Sequence, residues 1–202
     1  MRKIGAAAAA VMALALCAPA VASADQLTQW QIRLGVSSIV PDESGSPIPA
    51  EIGNATVPTA QIEYFFNENV SAELLCCVAT HSVSAANGAV NLGHVTHFPP
   101  TVTVKYHWTN FGRIQPYVGA GVNYTAFINS DPPAGRHVHY DSSWGPALQA
   151  GADYRLSDHW SVGLDVRRIW INTKVRISGD ITAEDKVDIN PWVVSATLGY
   201  RF

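Results

Sequence analysis

The sequence predicts an all-β protein: an eight-stranded antiparallel transmembrane β-barrel with short periplasmic turns and four long extracellular loops. Three observations carry this. A secretory leader opens the chain, apolar residues fall on every second position in eight separate segments, and the connections alternate between short and long. Composition sets the frame: the 202 residues are 48% hydrophobic and 14% charged, against about 25% charged in an average soluble domain. A formal net charge of −3 offers no general basic surface, so no nucleic acid partner is expected.

Arg2 and Lys3 precede an uncharged run from Ile4 to Ala22, and Ala22-Ser23-Ala24 supplies small residues before Asp25. The expected division is a signal peptide over 1–24, cut between Ala24 and Asp25, and an outer-membrane barrel domain over 25–202. Pro19 and the small-residue site interrupt the run where a retained spanning helix would continue. Lipid attachment at Cys17 is disfavoured because Leu16 precedes it, where a small residue is needed. No later segment approaches the roughly 18 consecutive apolar residues of a membrane helix. An exported chain of this kind enters a membrane only as a closed barrel.

The first strand sets Trp30, Ile32, Leu34 and Val36 against Gln31, Arg33, Gly35 and Ser37, an apolar face and a polar one. In the second, Ala60, Ile62, Tyr64 and Phe66 alternate with Thr59, Gln61, Glu63 and Phe65. The third alternates Val70, Ala72, Leu74, Cys76 and Val78 with Ser71, Glu73, Leu75, Cys77 and Ala79, and the fourth Val102, Val104, Tyr106 and Trp108 with Thr101, Thr103, Lys105 and His107. The fifth runs from Tyr117 to Thr125, with Gly119, Gly121 and Asn123 on the face of Tyr117. Leu148 to Arg155 makes the sixth, Trp160 to Arg167 the seventh and Trp192 to Phe202 the eighth. Asn67-Glu68-Asn69, Thr109 to Arg113 and Ser157-Asp158-His159 read as tight turns. The stretches 38–57, 80–98, 126–142 and 172–189 are the long connections.

Alternation alone does not say which face points inward, and a soluble barrel of lipocalin type would place the apolar face inside. The aromatics decide it. Tyr64, Phe66, Tyr106, Trp108, Tyr154, Trp160, Tyr200 and Phe202 all lie on the apolar face near the short turns, as in an interfacial girdle. The other face carries both signs of charge, Arg33, Lys105, Arg155, Arg167 and Arg201 with Glu63, Glu73, Asp153 and Asp165, which suits an ion-paired lumen. The end of the chain, Gly199, Tyr200 and Phe202, is the expected signal for the barrel assembly machinery.

These segments also resemble the outer membrane protein W (OmpW) family over nearly the whole mature length. The resemblance rests on Glu73-Leu74-Leu75, His97-Phe98-Pro99-Pro100-Thr101, Pro116 to Tyr124, Ser143-Trp144-Gly145, Asn190-Pro191-Trp192 and Gly199-Tyr200-Arg201-Phe202. It implies a narrow, partly hydrophobic lumen that helps small hydrophobic molecules cross the outer membrane, with exit sideways through the wall. Family members also serve as phage or colicin receptors. One position departs from the pattern: relatives can carry an aromatic where Arg167 stands, facing Leu75 across the lumen. A charged constriction involving Arg167 and Asp165 is therefore as open as an apolar one.

The expected lumen contacts are Leu75, Phe65, Tyr117, Arg167, Asp165 and Glu73. Arg33, Glu63, Lys105, Asp153, Arg155 and Arg201 make the charge network. Leu75 serves either as a constriction or as filling, since eight strands leave little more than side-chain room inside. Cys76 and Cys77 point to opposite faces and read as two free thiols. His94 with His97 and His137 with His139 lack a strong ligand spacing, so no metal and no cofactor are expected. His139, Asp141, Ser142 and Ser143 adjoin without a nucleophile elbow or metalloprotease helix, so no enzyme is expected. The expected partners are outer-membrane lipid and small hydrophobic molecules, for a monomer. The rival expectation is a sealed structural or receptor barrel whose outer loops bind a phage, a colicin or a host surface.

Overall fold

The computed structural model describes residues 29–42, 50–85, 90–132, 136–179 and 183–202. The expected signal peptide and the cleavage site at Ala24 and Asp25 lie outside these residues. The strands, in chain order, are β1 (Trp30–Val40), β2 (Ala50–Ile52), β3 (Ala55–Phe65), β4 (Val70–Cys77), β5 (Ala79–Ala85), β6 (Val90–Phe98) and β7 (Thr101–His107). They continue as β8 (Ile114–Asp131), β9 (Arg136–Tyr140), β10 (Ser143–Arg155), β11 (Trp160–Ile169), β12 (Asn172–Gly179), β13 (Ala183–Asp188) and β14 (Trp192–Arg201).

Eight of them close a barrel. β1 pairs antiparallel with β3, and the ladder runs through β4, β7, β8, β10, β11 and β14 back to β1. The ladder returns on itself, so the eight-stranded ring has no terminal edge strand. The faces follow the membrane sense, with Leu34, Val104, Val122, Leu148 and Leu164 exposed outside and Arg33, Glu63, Lys105 and Arg167 buried inside.

Short turns join β3 to β4, β7 to β8 and β10 to β11, and both ends of the barrel sequence lie on their side. The first turn is held by Asn67 Oδ1, which accepts from the Asn69 and Val70 amides at 2.9 Å each. Gly112 adopts a positive φ of 68° in the second, a conformation glycine reaches without a Cβ clash. Here the girdle rings touch, Trp30 on Tyr64 at 4.8 Å and Trp160 on Tyr200 at 4.9 Å between centroids. A second belt that alternation did not single out stands at the other end, with Trp144 against Tyr124 at 4.7 Å and Trp192 under the Arg168 guanidinium at 4.9 Å. Trp144 and Tyr154 both lie on β10 about ten residues apart, or roughly 25 Å along the axis of a tilted strand, the height of an outer-membrane apolar band.

The long connections are not irregular loops. β5 and β6 form a hairpin that rises above the second belt, β2 adds to the β5 edge, and β8 runs on to Asp131 to pair with β6. β9, β12 and β13 make a separate three-stranded sheet. Period-two reading misses these strands because they lack a uniform apolar face: Thr80 and Thr96, for instance, bond across the hairpin at 2.9 Å while exposed.

Candidate functional site

Three layers fill the inside of the barrel. Nearest the short turns is a charged plug in which three buried cations, Arg33, Lys105 and Arg167, meet four buried carboxylates, Glu63, Glu73, Asp153 and Asp165. Arg33 on β1 reaches across to Asp153 on β10 at 2.7 Å and to Glu63 at 2.8 Å. Lys105 bridges Glu63 and Glu73 at 3.0 Å each, and lies 3.9 Å from the centre of the Tyr117 ring. Arg167 on β11 reaches Glu73 on β4 at 2.6 Å and its own neighbour Asp165 at 3.2 Å. His107 adds a contact to Glu63 at 3.1 Å, shared with Ser71 at 2.9 Å. These links join strands on opposite sides of the lumen, so the plug closes the axial path.

Glycines make this crowding possible. A Cβ at Gly163 would strike the Asp153 carboxylate and the Thr197 hydroxyl, and one at Gly199 would strike Gln31 and Ser161. Both positions face the long Arg33 side chain, which needs the space they leave.

Above the plug the inward positions turn apolar. Moving up each strand from Leu75, Gln149, Arg167 and Ser195, the next inward residues are Cys77, Ala147, Ile169 and Val193, which pack with Ile39, Ala55, Val57, Ala79 and Ile171. Leu75 is buried at the boundary, with Glu73 below it and Cys77 above.

The wall beside this chamber is interrupted. The β4–β7 ladder stops at Leu75↔Thr101 and pairing resumes only at Ala79↔His97 between β5 and β6. Cys76, Cys77 and Val78 therefore face Phe98, Pro99 and Pro100 without ladder pairs. Proline has no N–H to donate, so Pro99 cannot complete this stretch, while Pro100 faces β8 and accepts from the Tyr124 amide at 3.0 Å. On the other side of Val78, β3 pairs with β4 only as far as Thr59↔Cys77, leaving Ala55 to Pro58 without a partner on β5. Asn123 braces the prolines from inside: its amide donates to the Pro99 and Pro100 carbonyls at 3.3 Å each and to Thr101 Oγ1 at 2.9 Å. Cys76 and Cys77 are both free thiols.

The third layer is the outer mouth, above the second belt. His81 and His97 stack there with centroids 5.0 Å apart, and His81 Nδ1 donates to the Gly53 carbonyl at 2.7 Å. Burial pushes the His97 imidazole down to about 3, helped by repulsion from His81. His81 is also lowered by burial, partly offset by its bond to Gly53. Among the described residues, no three His, Cys, Asp or Glu side chains stand close enough together to hold a metal ion.

Of the residues expected in the lumen, Arg33, Glu63, Glu73, Leu75, Lys105, Tyr117, Asp153, Asp165 and Arg167 are brought together in and above the plug. Phe65 lies at its lower edge, with the Arg201 guanidinium 4.0 Å from its ring centre and His107 at 5.2 Å. Arg155 is not part of the network: it sits exposed at the rim, 3.8 Å from Asp158. It is the last inward position of β10, and beyond it the lumen opens to water. Sequence reading missed His107 and Gln149 as plug members, although both lie on the polar face. Placed with its amide nitrogen toward Thr103, Gln149 accepts from Arg167 at 2.8 Å. Gly199, Tyr200 and Phe202 end the barrel, with the Tyr200 and Phe202 rings 5.2 Å apart.

A closed antiparallel barrel with lipid-facing aliphatics, two aromatic belts, a charged interior and its short turns at one end is a transmembrane β-barrel of the bacterial outer membrane. The chain belongs to the OmpW family, whose sequence profile matches residues 27–202. It is 35% identical over 201 residues to an uncharacterised outer-membrane protein of Sinorhizobium fredii, covering 93% of this chain and 88% of that one. It is also 31% identical over 207 residues to outer membrane protein W of Vibrio cholerae, covering 94% and 95%. The crystal structure of the outer membrane protein OprG from Pseudomonas aeruginosa superposes with a TM-score of 0.80 at 28% identity, over 86% of this chain and 95% of that one.

Proposed function

We propose that the barrel is a non-enzymatic channel that takes small hydrophobic molecules in from the outer mouth and releases them sideways into the membrane. One observation carries this reading: the apolar chamber stands on a sealed, charged floor and shares Ala55, Val57, Cys77 and Ala79 with the interrupted stretch of wall. A hydrophobic solute gains about 25 cal/mol for each Å² it buries, so the chamber attracts it without a polar anchor. Passing the plug would place that solute among paired charges, whereas the seam beside Val78 leads to hydrocarbon. Leu75 and Arg167 act as the floor it rests on. Glu73, Asp165, Phe65 and Tyr117 hold that floor from below.

Gly199, Tyr200 and Phe202 fit an assembly signal for the barrel machinery, with Gly199 facing inward and the two rings half-buried at the strand end. A second reading, a sealed barrel that binds a partner through its outer face, is favoured by the charged β9–β12–β13 sheet, where Arg176 pairs with Asp141 at 2.8 Å.

The test measures entry of a hydrophobic solute into cells with and without the protein, and with two variants. Pro99→Val restores an amide donor in the unpaired stretch, lets the ladder close, and is expected to reduce protein-dependent entry by about tenfold or more. Arg167→Ala opens the plug and is expected to leave entry within about twofold of the parent. Equal entry with and without the protein rejects the channel. Entry that survives the proline variant but rises sharply in Arg167→Ala assigns the path to the axis instead.

A further inference from the structure

We infer that the outer mouth is a ring-stacking site that selects neutral, planar aromatic molecules over saturated molecules of the same size. This rests on the channel reading above and narrows its substrate class. Four rings from four different strands form a continuous run: His81 on β5, His97 on β6, Phe127 on β8 and Tyr140 on β9. Their successive centroid distances are 5.0, 6.0 and 5.2 Å, with interplanar angles of 11°, 53° and 26°. All three spacings lie in the range where aromatic pairs attract beyond simple area burial.

His81, His97 and Phe127 also line a narrow slot with about 20 Å³ of free room, which is about one water. A molecule entering there parts the rings. A flat aromatic ring slides between two faces and replaces one ring contact with two, while a puckered saturated ring of equal carbon number separates them and returns only dispersion. The layer below is different, because Val57, Ala147, Ile169 and Val193 give only aliphatic surface that any hydrophobe can use, Ile39 and Ile171 being shared with the slot. Discrimination between ring types is therefore concentrated at the mouth.

The chemistry of the slot further restricts the ligand to neutral molecules. Its other lining residues are Ile39, Pro41, Val95, Thr125, Ile171, Ile189 and Pro191, so among the described residues the lining has no carboxylate to receive a cation and no arginine or lysine to receive an anion. A carbonyl only accepts, so the bond from His81 Nδ1 to Gly53 puts the proton on Nδ1 and fixes the ring plane. Burial keeps both imidazoles uncharged near neutral pH, so their faces stack as neutral rings.

Naphthalene and decahydronaphthalene, which share a carbon skeleton, make the test. Initial entry rates of both into bacterial cells are measured by gas chromatography, and the rates of cells lacking the protein are subtracted. The expected protein-dependent ratio favours naphthalene by about fivefold. The double variant His81→Leu/His97→Leu, and separately Phe127→Leu, are expected to bring the ratio near one, with entry of both solutes still dependent on the protein. Heat-dependent gel mobility of the barrel verifies that each variant is folded, and Phe127→Leu serves if the double variant is not. Equal entry of the two solutes through the parent protein overturns ring selection and leaves the channel standing. So does a preference that persists in the folded leucine variants. Protein-independent entry of both solutes overturns the channel and the selection together.

Discussion

The lumen below Leu75 and the lumen above it are walled by the same eight strands, and both are closed to solvent, yet they hold together by different physics. Below, Arg33, Lys105 and Arg167 are cross-braced to carboxylates on facing strands. Above, Ile39, Ile169, Ile171 and Val193 pack with no partner to lose. A charged layer is rigid because removing one member strands the others. An aliphatic layer gives locally, so a solute can displace it. The difference assigns the plug to holding the barrel shut along its axis and the chamber to adapting around a guest.

The largest effect that breaks this comparison is on the plug. Arg33→Met leaves Asp153 without its 2.7 Å partner and Glu63 dependent on Lys105 and His107. Removing one side of a buried pair costs about 3–5 kcal/mol, to be measured as the urea unfolding free energy in lipid vesicles. Arg33→Met with Asp153→Leu is expected to recover part of the loss, since both charges then leave together. If the exit lies above the plug, hydrophobic solute entry through the folded Arg33→Met barrel stays at the parent level. A large change in entry would mean that the two layers are not independent.

The chamber gives a smaller effect on stability, but one that changes solute entry. Ile169→Ala removes a buried aliphatic side chain one inward step above Arg167. The expected cost is about 2 kcal/mol, the low end for such a truncation, because a chamber beside an unpaired seam can relax into the space. Protein-dependent solute entry is expected to rise, since the guest displaces less. A loss near that of Arg33→Met would show that the chamber is packed as rigidly as the plug.

Legibility in the sequence followed the same boundary. The barrel strands were readable because each presents apolar residues to lipid at period two, and the plug was readable because its charges stand on the opposite face. The content of an inward position does not affect that period. The period therefore says nothing of why Gly163 and Gly199 stand at inward positions, which their nearness to Arg33 explains. Arg155 obeyed the alternation and still fell outside, because one further residue toward the turn puts a side chain into water. The seam was invisible for a different reason. Pro99 and Pro100 announce that a ladder is broken, but not which strand they face, and Val78 reads as an ordinary strand residue. The ring run at the mouth draws His81, His97, Phe127 and Tyr140 from two of the long connections, and no local pattern brings them together.

The mouth supplies the smallest effect, and it separates the third layer from the two beneath it. In the closed mouth His97 is held at about 3 by burial and by His81, against about 6.5 for an open, solvated histidine. The closed form thus binds fewer protons than the open form between these values. Its stability is full above pH 6.5, falls as pH drops through 6.5 toward 3, and falls no further once both forms are protonated. Between pH 7 and 5 the shift for one histidine is about 2 kcal/mol at most, and the lowered His81 acts in the same direction. The measurement is hydrogen exchange of β5 and β6 amides, corrected for the intrinsic pH dependence, with β1 and β14 amides as the internal reference. Faster corrected exchange at pH 5 is expected in β5 and β6 alone, and His81→Leu/His97→Leu is expected to remove it. A pH response confined to the hairpin would locate the soft point of the barrel at its outer end.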